Sequence, residues 1–440
     1  MKLTQLTIAR FWAPLASTWL MMALEGPILA AVVARLAEPE FNLAAYGVAL
    51  ALAILIEAPV IMLMSAATSL ARDRASFLRL RRFAWGLCAG TTLILLVILI
   101  PSVHELLMRR LIGLPDPIAD LTYGALWCFL PWPAAIGFRR LYQGLLIRAR
   151  QTHLVARGTL IRLFSLSLAA GCGYLWVDLP GAWIAPAALS VAVVCEAVAA
   201  RLMVRPALRE LLSNSGRRRR RAATPMSYRE IAHFYFPLLL TPVIGMAMQP
   251  MLAFFMGRSV SPIESLAVFP VVNSVGFFFR SISIAYQDVA IALMGRRFRH
   301  FVKLRTFAIT LGSVTAAGLA AVAFVHPVSH LWFVTVSGLT VELEGFAIDA
   351  TRVMFPIPFL ATVLSLQRAI LLEGRRTGPI TAASAVELAV VGVFFIVFGW
   401  GIGMVGATAA FAATLCGRLA ANAYLLRPCE SALSTGRAGR

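Results

Sequence analysis

The chain has 440 residues, of which 60% are hydrophobic and only 14% are charged, with a mean hydropathy of +0.82. Globular domains carry about 25% charged residues, so this composition excludes a disordered chain and argues against an ordinary soluble enzyme. The formal net charge of +20 comes almost entirely from arginine, because Lys2 and Lys303 are the only lysines. The arginines lie between long apolar segments, which indicates orientation in a membrane and not binding of nucleic acid.

Twelve segments are long and apolar enough to span a bilayer, which requires about 20 apolar residues per helix. In chain order they are residues 11–35, 43–70, 83–104, 119–147, 155–177, 182–204, 231–257, 264–294, 304–325, 347–372, 379–399 and 402–426. Several contain prolines well inside the span, such as Pro27, Pro59 and Pro270, which membrane helices tolerate as kinks. The sequence therefore predicts an all-α polytopic membrane protein with kinked helices.

The arginines between these spans predict the orientation. They concentrate in the even-numbered connections, for example Arg79, Arg81 and Arg82 in the second and five consecutive arginines at 217–221 in the sixth. Positively charged loops stay in the cytoplasm. We therefore expect a multi-pass protein of the cell (inner) membrane with both termini cytoplasmic, and we expect residues 217–221 to contact anionic lipid headgroups.

The two halves of the chain form an internal repeat. An offset of 223 residues aligns the first span with the seventh, and an offset of 225 aligns the fourth with the tenth. The aligned pairs include Pro14 with Pro237, Pro27 with Pro250, Pro131 with Pro356 and Pro133 with Pro358. Each half has an even number of spans, so the repeats share one orientation. The predicted divisions are 1–204 and 230–428 for the two six-helix halves, 205–229 for an Arg-rich cytoplasmic linker and 429–440 for a cytoplasmic tail.

Histidine and cysteine give no metal-site signature. His326 and His330 are four residues apart, but they flank a proline in an outer loop and no third ligand is evident. The six cysteines contain no C-x-x-C pair and are expected to be small core residues. We expect neither a metal nor a cofactor.

Charged and amide side chains inside the predicted spans are the candidate functional residues. An ionisable group near the middle of a bilayer costs about 2.5–3.5 kcal/mol on insertion scales, so it normally faces a partner or a wet cavity. The set comprises Glu25, Glu57, Arg139, Arg140, Gln143, Arg162, Asn273, Arg280, Gln287, Arg368 and Glu387. On the eighth span, helical phase places Asn273, Gly276, Arg280, Ser283 and Gln287 on one stripe.

Two interpretations of these charges stay open. The repeat aligns Glu57 with Arg280 and Arg162 with Glu387, so they could be structural ion pairs that join the halves. Alternatively, five arginines outnumber three glutamates, and the excess positive charge would bind an anion through planar guanidinium groups. Both interpretations are correct at once if the substrate competes with the glutamate of an ion pair for its arginine.

The second interpretation assigns roles to the set. Substrate-binding residues would be Arg280, Arg139, Arg140, Arg368, Gln143, Asn273 and Gln287. Coupling or gating residues would be Glu25, Glu57, Arg162 and Glu387. Burial raises the pKa of a carboxyl group, which makes Glu25 and Glu57 candidates for coupling to a proton.

Several motifs carry a family resemblance. AAYGVALAL at 44–52, followed by AP at 58–59 and ARDR at 71–74, is similar to the progressive ankylosis protein family, as are RVMFPIP at 352–358 and GMVGAT at 403–408. The two proline-paired halves resemble the wider multidrug/oligosaccharidyl-lipid/polysaccharide (MOP) flippase superfamily. The resemblance implies a MATE/MOP-like fold of two parallel six-helix repeats with a central cavity. It also implies a secondary transporter that exports a small polyanion, such as citrate, pyrophosphate or a nucleotide, by rocker-switch alternating access.

Three other functions remain as alternatives. A flippase for an anionic lipid-linked glycan or lipid would also need arginines, whereas a multidrug cation antiporter would need mostly carboxylates. A membrane-embedded enzyme is disfavoured because no catalytic constellation is present. Expected partners are the polyanion, membrane lipid and a proton or sodium ion as coupling ion, with no nucleic acid, and the expected oligomeric state is a monomer.

Overall fold

The computed structural model describes residues 3–71, 73–149, 151–213, 227–295, 298–374, 376 and 378–438. The arginines at 217–221, most of the predicted linker 205–229 and the last two residues of the tail lie outside the described residues. Twenty α-helices make up most of the described chain. They are α1 (Gln5–Ala23), α2 (Glu25–Val33), α3 (Pro39–Ile61), α4 (Leu63–Leu70), α5 (Arg74–Ile98), α6 (Pro101–Glu105), α7 (Asp116–Cys128), α8 (Trp132–Arg148), α9 (Thr152–Trp176), α10 (Gly181–Met203), α11 (Arg205–Ser213), α12 (Tyr228–Met246), α13 (Met248–Met256), α14 (Pro262–Leu293), α15 (Phe301–Phe324), α16 (His326–His330), α17 (Val341–Met354), α18 (Ile357–Glu373), α19 (Gly378–Phe395) and α20 (Gly406–Ala438).

Three short π-helical segments complete the secondary structure. They are Leu106–Ile112, Leu331–Val336 and Ile396–Gly401. The described ranges contain no β-strand, only a parallel bridge between Val260 and Val405. The predicted all-α fold is therefore confirmed.

Eleven helices in the described ranges are long and apolar enough to cross a membrane. They are Gln5–Val33, Pro39–Leu70, Arg74–Ile98, Asp116–Arg148, His153–Trp176, Gly181–Met203, Pro262–Leu293, Phe301–Phe324, Val341–Glu373, Gly378–Gly401 and Gly406–Ser434. The predicted seventh span, 231–257, corresponds to α12 and α13, which contain a shorter apolar stretch, Pro242–Met256. The chain is a multi-pass membrane protein.

Several predicted span limits differ from the helix ends, and two of these differences have a clear local cause. The third span was expected to reach residue 104, but α5 ends at Ile98. Ile100 is extended, with φ −65° and ψ 125°, because the ring of Pro101 disfavours a helical conformation in the residue before it. The last predicted span was expected to begin at residue 402, but α20 begins at Gly406. Gly403 has φ +76°, a left-handed conformation that interrupts a right-handed helix.

The helix breaks repeat with the predicted offsets. The break between α1 and α2 lies at Leu24, and the break between α12 and α13 lies at Ala247, which is 223 residues later. Each break is followed three residues on by a proline, Pro27 or Pro250, which has no N–H for the preceding turn. The limits of α7 and α8 recur 225 residues later in α17 and α18 to within one residue. The helix breaks and the helix limits thus recur at the offsets of the internal repeat.

The helices form two compact units whose composition differs from the two repeats. Unit 1 comprises Met1–Gly47 and Met251–Arg440, and unit 2 comprises Val48–Pro250. Unit 1 thus contains α1 and α2, the first helices of the N-terminal repeat. Unit 2 contains α12, the first helix of the C-terminal repeat. The predicted halves 1–204 and 230–428 describe the repeat in the sequence, whereas the packing groups these first helices with the other repeat.

In unit 1, α1 packs against α14 and α15. The indole of Trp12 donates to the carbonyl of Ile282 at 3.2 Å, and the amide of Gln5 donates to the carbonyl of Lys303 at 3.0 Å. Ile8 belongs to the same buried core as Tyr286. These contacts hold α1 as a membrane helix of the folded unit.

In unit 2, α8 lies against α4, α5 and α10. Two glycines allow the close approach, because a Cβ at Gly144 would lie 2.4 Å from the carbonyl oxygen of Met64 and one at Gly137 would lie 2.3 Å from the sulfur of Cys88. The hydroxyl of Ser190 on α10 donates to the carbonyl of Cys128 at 2.7 Å. The two glycines thus let α8 pack closely against α4 and α5, and α10 is hydrogen-bonded to the end of α7.

Candidate functional site

A buried carboxylate on α10 of unit 2 is surrounded by donors from two other helices. Glu196 is 1% exposed. Its Oε2 lies 2.5 Å from Nη1 of Arg139 and 3.8 Å from Nη1 of Arg162, and its Oε1 accepts from Nε2 of Gln143 at 3.0 Å. Arg139 and Gln143 reach the same carboxylate because residues four apart in α8 lie on one helix face. Arg162 approaches from α9.

A second carboxylate in unit 2 lies near the same arginines. The indole of Trp132, in the first turn of α8, donates to Oε2 of Glu57. Arg139, Arg140 and Arg162 are all within electrostatic range of Glu57. We call Glu57, Arg139, Arg140, Gln143, Arg162 and Glu196 the Glu196 cluster. It places three guanidinium groups against two carboxylates.

Unit 1 contains a similar arrangement with a larger excess of positive charge. Nη2 of Arg418 on α20 lies 2.9 Å from Oε1 of Glu387 on α19. Arg280 on α14 and Arg368 on α18 are both within electrostatic range of Arg418 and Glu387. Nη2 of Arg280 also donates to Oδ1 of Asn273 at 3.3 Å. We call Asn273, Arg280, Arg368, Glu387 and Arg418 the Glu387 cluster. It places three guanidinium groups against one carboxylate.

Both clusters retain donors without acceptors. In the described part of the chain, the buried Nε atoms of five arginines have no hydrogen-bond partner: Arg139, Arg140, Arg280, Arg368 and Arg418. Buried polar groups in folded proteins nearly always have a partner, supplied by protein, water or ligand. These donors match the chemistry of an anionic ligand, because the guanidinium fork suits carboxylate and phosphate groups.

Comparison with known proteins gives the fold. No protein-family model matches the chain, and no curated protein matches its sequence. An inward-facing multidrug resistance MATE family transporter of the MOP superfamily is similar over 96% of this chain and 95% of that chain, with a TM-score of 0.70 and 14% identity. The chain has the MATE/MOP transporter fold.

Two further solved structures have this fold. The lipid II flippase MurJ, in an inward closed conformation, is similar over 95% of this chain and 87% of that chain, with a TM-score of 0.70 and 13% identity. A MOP superfamily transporter from Pyrococcus furiosus, whose binding pocket has reversed polarity, is similar over 98% of this chain and 96% of that chain. Its TM-score is 0.67 and its identity is 14%.

Within the MATE/MOP fold, the structure brings together most of the predicted site residues, in two groups. Arg139, Arg140, Gln143, Glu57 and Arg162 belong to the Glu196 cluster in unit 2. Asn273, Arg280, Arg368 and Glu387 belong to the Glu387 cluster in unit 1. Glu25 is buried at the start of α2, within electrostatic range of Tyr46, and Gln287 is half-buried on α14.

The predicted stripe on α14 divides in the structure. Ser283 is fully buried and its hydroxyl accepts from Thr362 at 2.6 Å. A Cβ at Gly276 would lie 2.5 Å from the sulfur of Met354. Two members of the stripe therefore pack between helices, Gly276 against α17 and Ser283 against α18. Asn273, Arg280 and Gln287 are the other polar members of the stripe, and Arg280 donates to Asn273.

Two charged residues of the clusters were not predicted. Glu196 and Arg418 each lie inside an apolar span, which is the signal that identified the other site residues. The structure shows them as the ion-pair partners of Arg162 and Glu387, respectively. Each of these pairs forms within one repeat, whereas the alignment had suggested pairs that join the halves.

A surface cavity and a histidine lie outside the two clusters. The cavity has a volume of about 600 Å³ and lies between the middle of α5 and the start of α12. It is lined by Arg82, Phe83, Gly86, Leu87 and Tyr228. Nδ1 of His330 lies 3.2 Å from Oε2 of Glu344. No group of three or more histidine, cysteine or acidic side chains in the described ranges could hold a metal ion.

Proposed function

We propose that this protein is a secondary transporter that moves a small polyanion across the inner membrane by alternating access, with export as its direction. The observation that carries the proposal is the excess of buried and half-buried guanidinium groups over carboxylates in both clusters. The Glu196 cluster has three arginines and two glutamates, and the Glu387 cluster has three arginines and one glutamate. An anion would neutralise the excess charge.

The chemistry of arginine supports a polyanion as the substrate. The guanidinium group keeps its proton at every physiological pH and offers planar pairs of donors to carboxylate and phosphate oxygens. Charge within a membrane is costly unless it is compensated. Citrate, pyrophosphate and nucleotides present several anionic oxygens to several guanidinium groups at once. The motif resemblance to the progressive ankylosis protein family favours the same substrate class.

The comparisons support the transporter class. The similar structures are transporters or a flippase. The Pyrococcus furiosus transporter is described as having a pocket of reversed polarity that suggests a different function for it. A basic site in this chain would be a comparable departure from cation transport.

The proposal also includes topology, oligomeric state and coupling. Helices α12 and α13 together form a twelfth membrane span, and both termini lie in the cytoplasm. The protein is a monomer, and Glu25 or Glu57 is the group that couples transport to a proton or sodium ion.

A second candidate function is reorientation of an anionic lipid-linked glycan. The similarity to the lipid II flippase favours it. The arginine excess fits an anionic headgroup as well as a free polyanion. The two functions differ in whether the anion carries a lipid tail.

Purified protein in liposomes distinguishes these functions. We expect trapped citrate or pyrophosphate to drive counterflow of the labelled anion, with no reorientation of a fluorescent anionic lipid. Lipid reorientation without counterflow would favour the flippase. Counterflow of a lipophilic cation without either activity would contradict both proposals. Two controls have the same lipid composition. One is liposomes that contain the protein but no trapped anion, and the other is liposomes without the protein.

A further inference from the structure

The number of donors around Glu196 exceeds what one ion pair requires. Arg139 lies 2.5 Å from one carboxylate oxygen, Gln143 donates to the other at 3.0 Å, and Arg162 lies 3.8 Å from the first. Arg139 is itself only 4% exposed, and its Nε has no acceptor in the described chain. Two guanidinium groups and an amide around a pair of oxygens form the donor set that a binding site offers to a free carboxylate or phosphate.

The other repeat shows that the extra donors are not needed for an ion pair. Glu387 pairs with Arg418 at 2.9 Å. At the offset of 225 residues, Arg139 corresponds to Leu364, an apolar residue. At the same offset Gln143 corresponds to Arg368, which is within electrostatic range of Glu387 but forms no ion pair with it in the described chain. The ion pair between the fifth and sixth helices of that repeat therefore forms without a direct contact from the fourth helix. The donors on α8 call for a separate explanation.

We infer that Glu196 is a tethered competitor of the transported anion. Its carboxylate occupies the donor set of Arg139, Gln143 and Arg162 when no substrate is bound, and a carboxylate or phosphate group of the substrate displaces it. This inference deepens the proposed function and rests on it. Displacement exchanges one anion for another, so the buried guanidinium groups stay neutralised and the cost of leaving them without a counter-ion is avoided.

Competition by Glu196 also has a consequence for affinity and movement. A group held next to its binding site has a high effective concentration, which weakens binding of a free competitor in proportion. The substrate therefore binds weakly enough to be released. Displacement also breaks the contacts that Glu196 on α10 makes with Arg139 and Gln143 on α8, so binding of the anion loosens one helix from the other within unit 2.

Removal of the tethered carboxylate tests the inference. The dissociation constants of citrate and pyrophosphate are measured by calorimetry on the full-length protein in detergent, and counterflow is measured in liposomes. We expect Glu196→Gln to bind at least one of the two anions more tightly than the parent does, by a factor of about ten or more. A factor of ten corresponds to about 1.4 kcal/mol. Its counterflow KM should fall as well. Glu344→Gln is the matched control, because Glu344 is also buried, at 6% exposure, but pairs with His330.

A second variant keeps the test decisive if Glu196→Gln folds poorly. Glu196→Asp retains the charge but withdraws the carboxylate by one methylene group, so it should compete less well and bind the anions with intermediate affinity. Citrate should also raise the melting temperature of Glu196→Gln more than that of the parent, because it replaces the missing counter-ion.

The outcomes separate the inference from the proposed function. If the parent transports the anions and neither variant binds them more tightly, the competitor role is wrong while the transport function stands. If neither the parent nor any variant binds or transports an anion, both are wrong. Tighter binding by either Glu196 variant without transport by the parent supports the competitor role and contradicts the transport function.

Discussion

Arg162 and Glu387 occupy equivalent positions of the two repeats but carry opposite charges. Arg162 on α9 lies 3.8 Å from Glu196 on α10, and Glu387 on α19 lies 2.9 Å from Arg418 on α20. In both repeats the fifth helix is therefore joined to the sixth by an ion pair, with the polarity exchanged. This arrangement implies that the repeat requires the pair and tolerates either direction of charge.

A charge exchange in unit 1 should therefore be tolerated better than a single change. Removal of one partner of a buried ion pair costs about 3–5 kcal/mol, because the other charge stays buried without compensation. We expect Glu387→Arg and Arg418→Glu each to lower the melting temperature of the detergent-purified protein. The double variant should recover a large part of the loss. A double variant no more stable than the single variants would contradict this explanation of the pair.

Arg280 should be required for transport and dispensable for folding. In the described chain it lies within ion-pair distance of no carboxylate, and its guanidinium donates to Asn273 at 3.3 Å. We expect Arg280→Ala to raise the counterflow KM for the anion at least about tenfold, since a hydrogen bond to a charged group contributes roughly 1.5–3 kcal/mol. Arg280→Lys should give an intermediate value, because it keeps the charge but loses the fork.

The control for this prediction is an arginine of unit 1 away from both clusters. Arg305 is exposed on α15 and lies over the ring of Phe301, 5.8 Å from its centroid. Arg305→Ala should transport as the parent does. If Arg280→Ala also has the KM of the parent, Arg280 does not bind the substrate.

Gly144 should be irreplaceable for a steric reason. A Cβ at this position would lie 2.4 Å from the carbonyl oxygen of Met64 and 2.6 Å from the Cβ of Ala67. Overpacking of this kind costs about 1–3 kcal/mol, so Gly144→Ala should lower the melting temperature and shift α8, which carries Arg139 and Gln143. Gly171→Ala on α9 is the matched control, because a Cβ there meets nothing within 4 Å. A Gly144→Ala variant as stable as Gly171→Ala would show that α4 and α8 separate easily.

Local features of the sequence predicted much of the fold. Apolar length located the helices, and Pro27 and Pro250 marked equivalent breaks in the two repeats. These features act within one or two turns, so they can be recognised without knowledge of the packing. Assignment of α1 to the same compact unit as α14 is a tertiary contact between distant segments, and the repeat contains no signal for it.

The site was predictable as a set of residues but not as a set of contacts. Arg139 and Gln143 were recognisable as polar residues inside an apolar span. Their shared partner, Glu196, lies more than fifty residues away, and the contact depends on how α8 packs against α10. The alignment suggested Arg280 as the counterpart of Glu57, whereas the structure shows that Trp132 donates to Glu57. Alignment of repeats identifies equivalent positions, which need not be in contact.

His104 should make the stability of the protein depend on pH. It lies in α6, outside the membrane-spanning helices, and is 7% exposed, with Nε2 3.1 Å from the carbonyl oxygen of Ala119. Burial lowers the pKa of His104 below its usual value of 6.5, and the hydrogen bond to Ala119 offsets this in part. The unfolded chain therefore binds the proton more readily than the folded chain does, so the stabilisation is complete above pH 6.5 and is lost as the pH falls toward the folded-state pKa.

The test replaces the imidazole by a group that does not titrate. His104→Gln retains an N–H donor for the carbonyl of Ala119, so its melting temperature should fall less than that of the parent between pH 8 and about pH 5. One proton contributes at most about 1.4 kcal/mol per pH unit, which sets the scale of the difference. His153→Asn is the control, because His153 is exposed at the start of α9. Parallel pH profiles for the parent and His104→Gln would mean that protonation of His104 does not limit the stability of the fold.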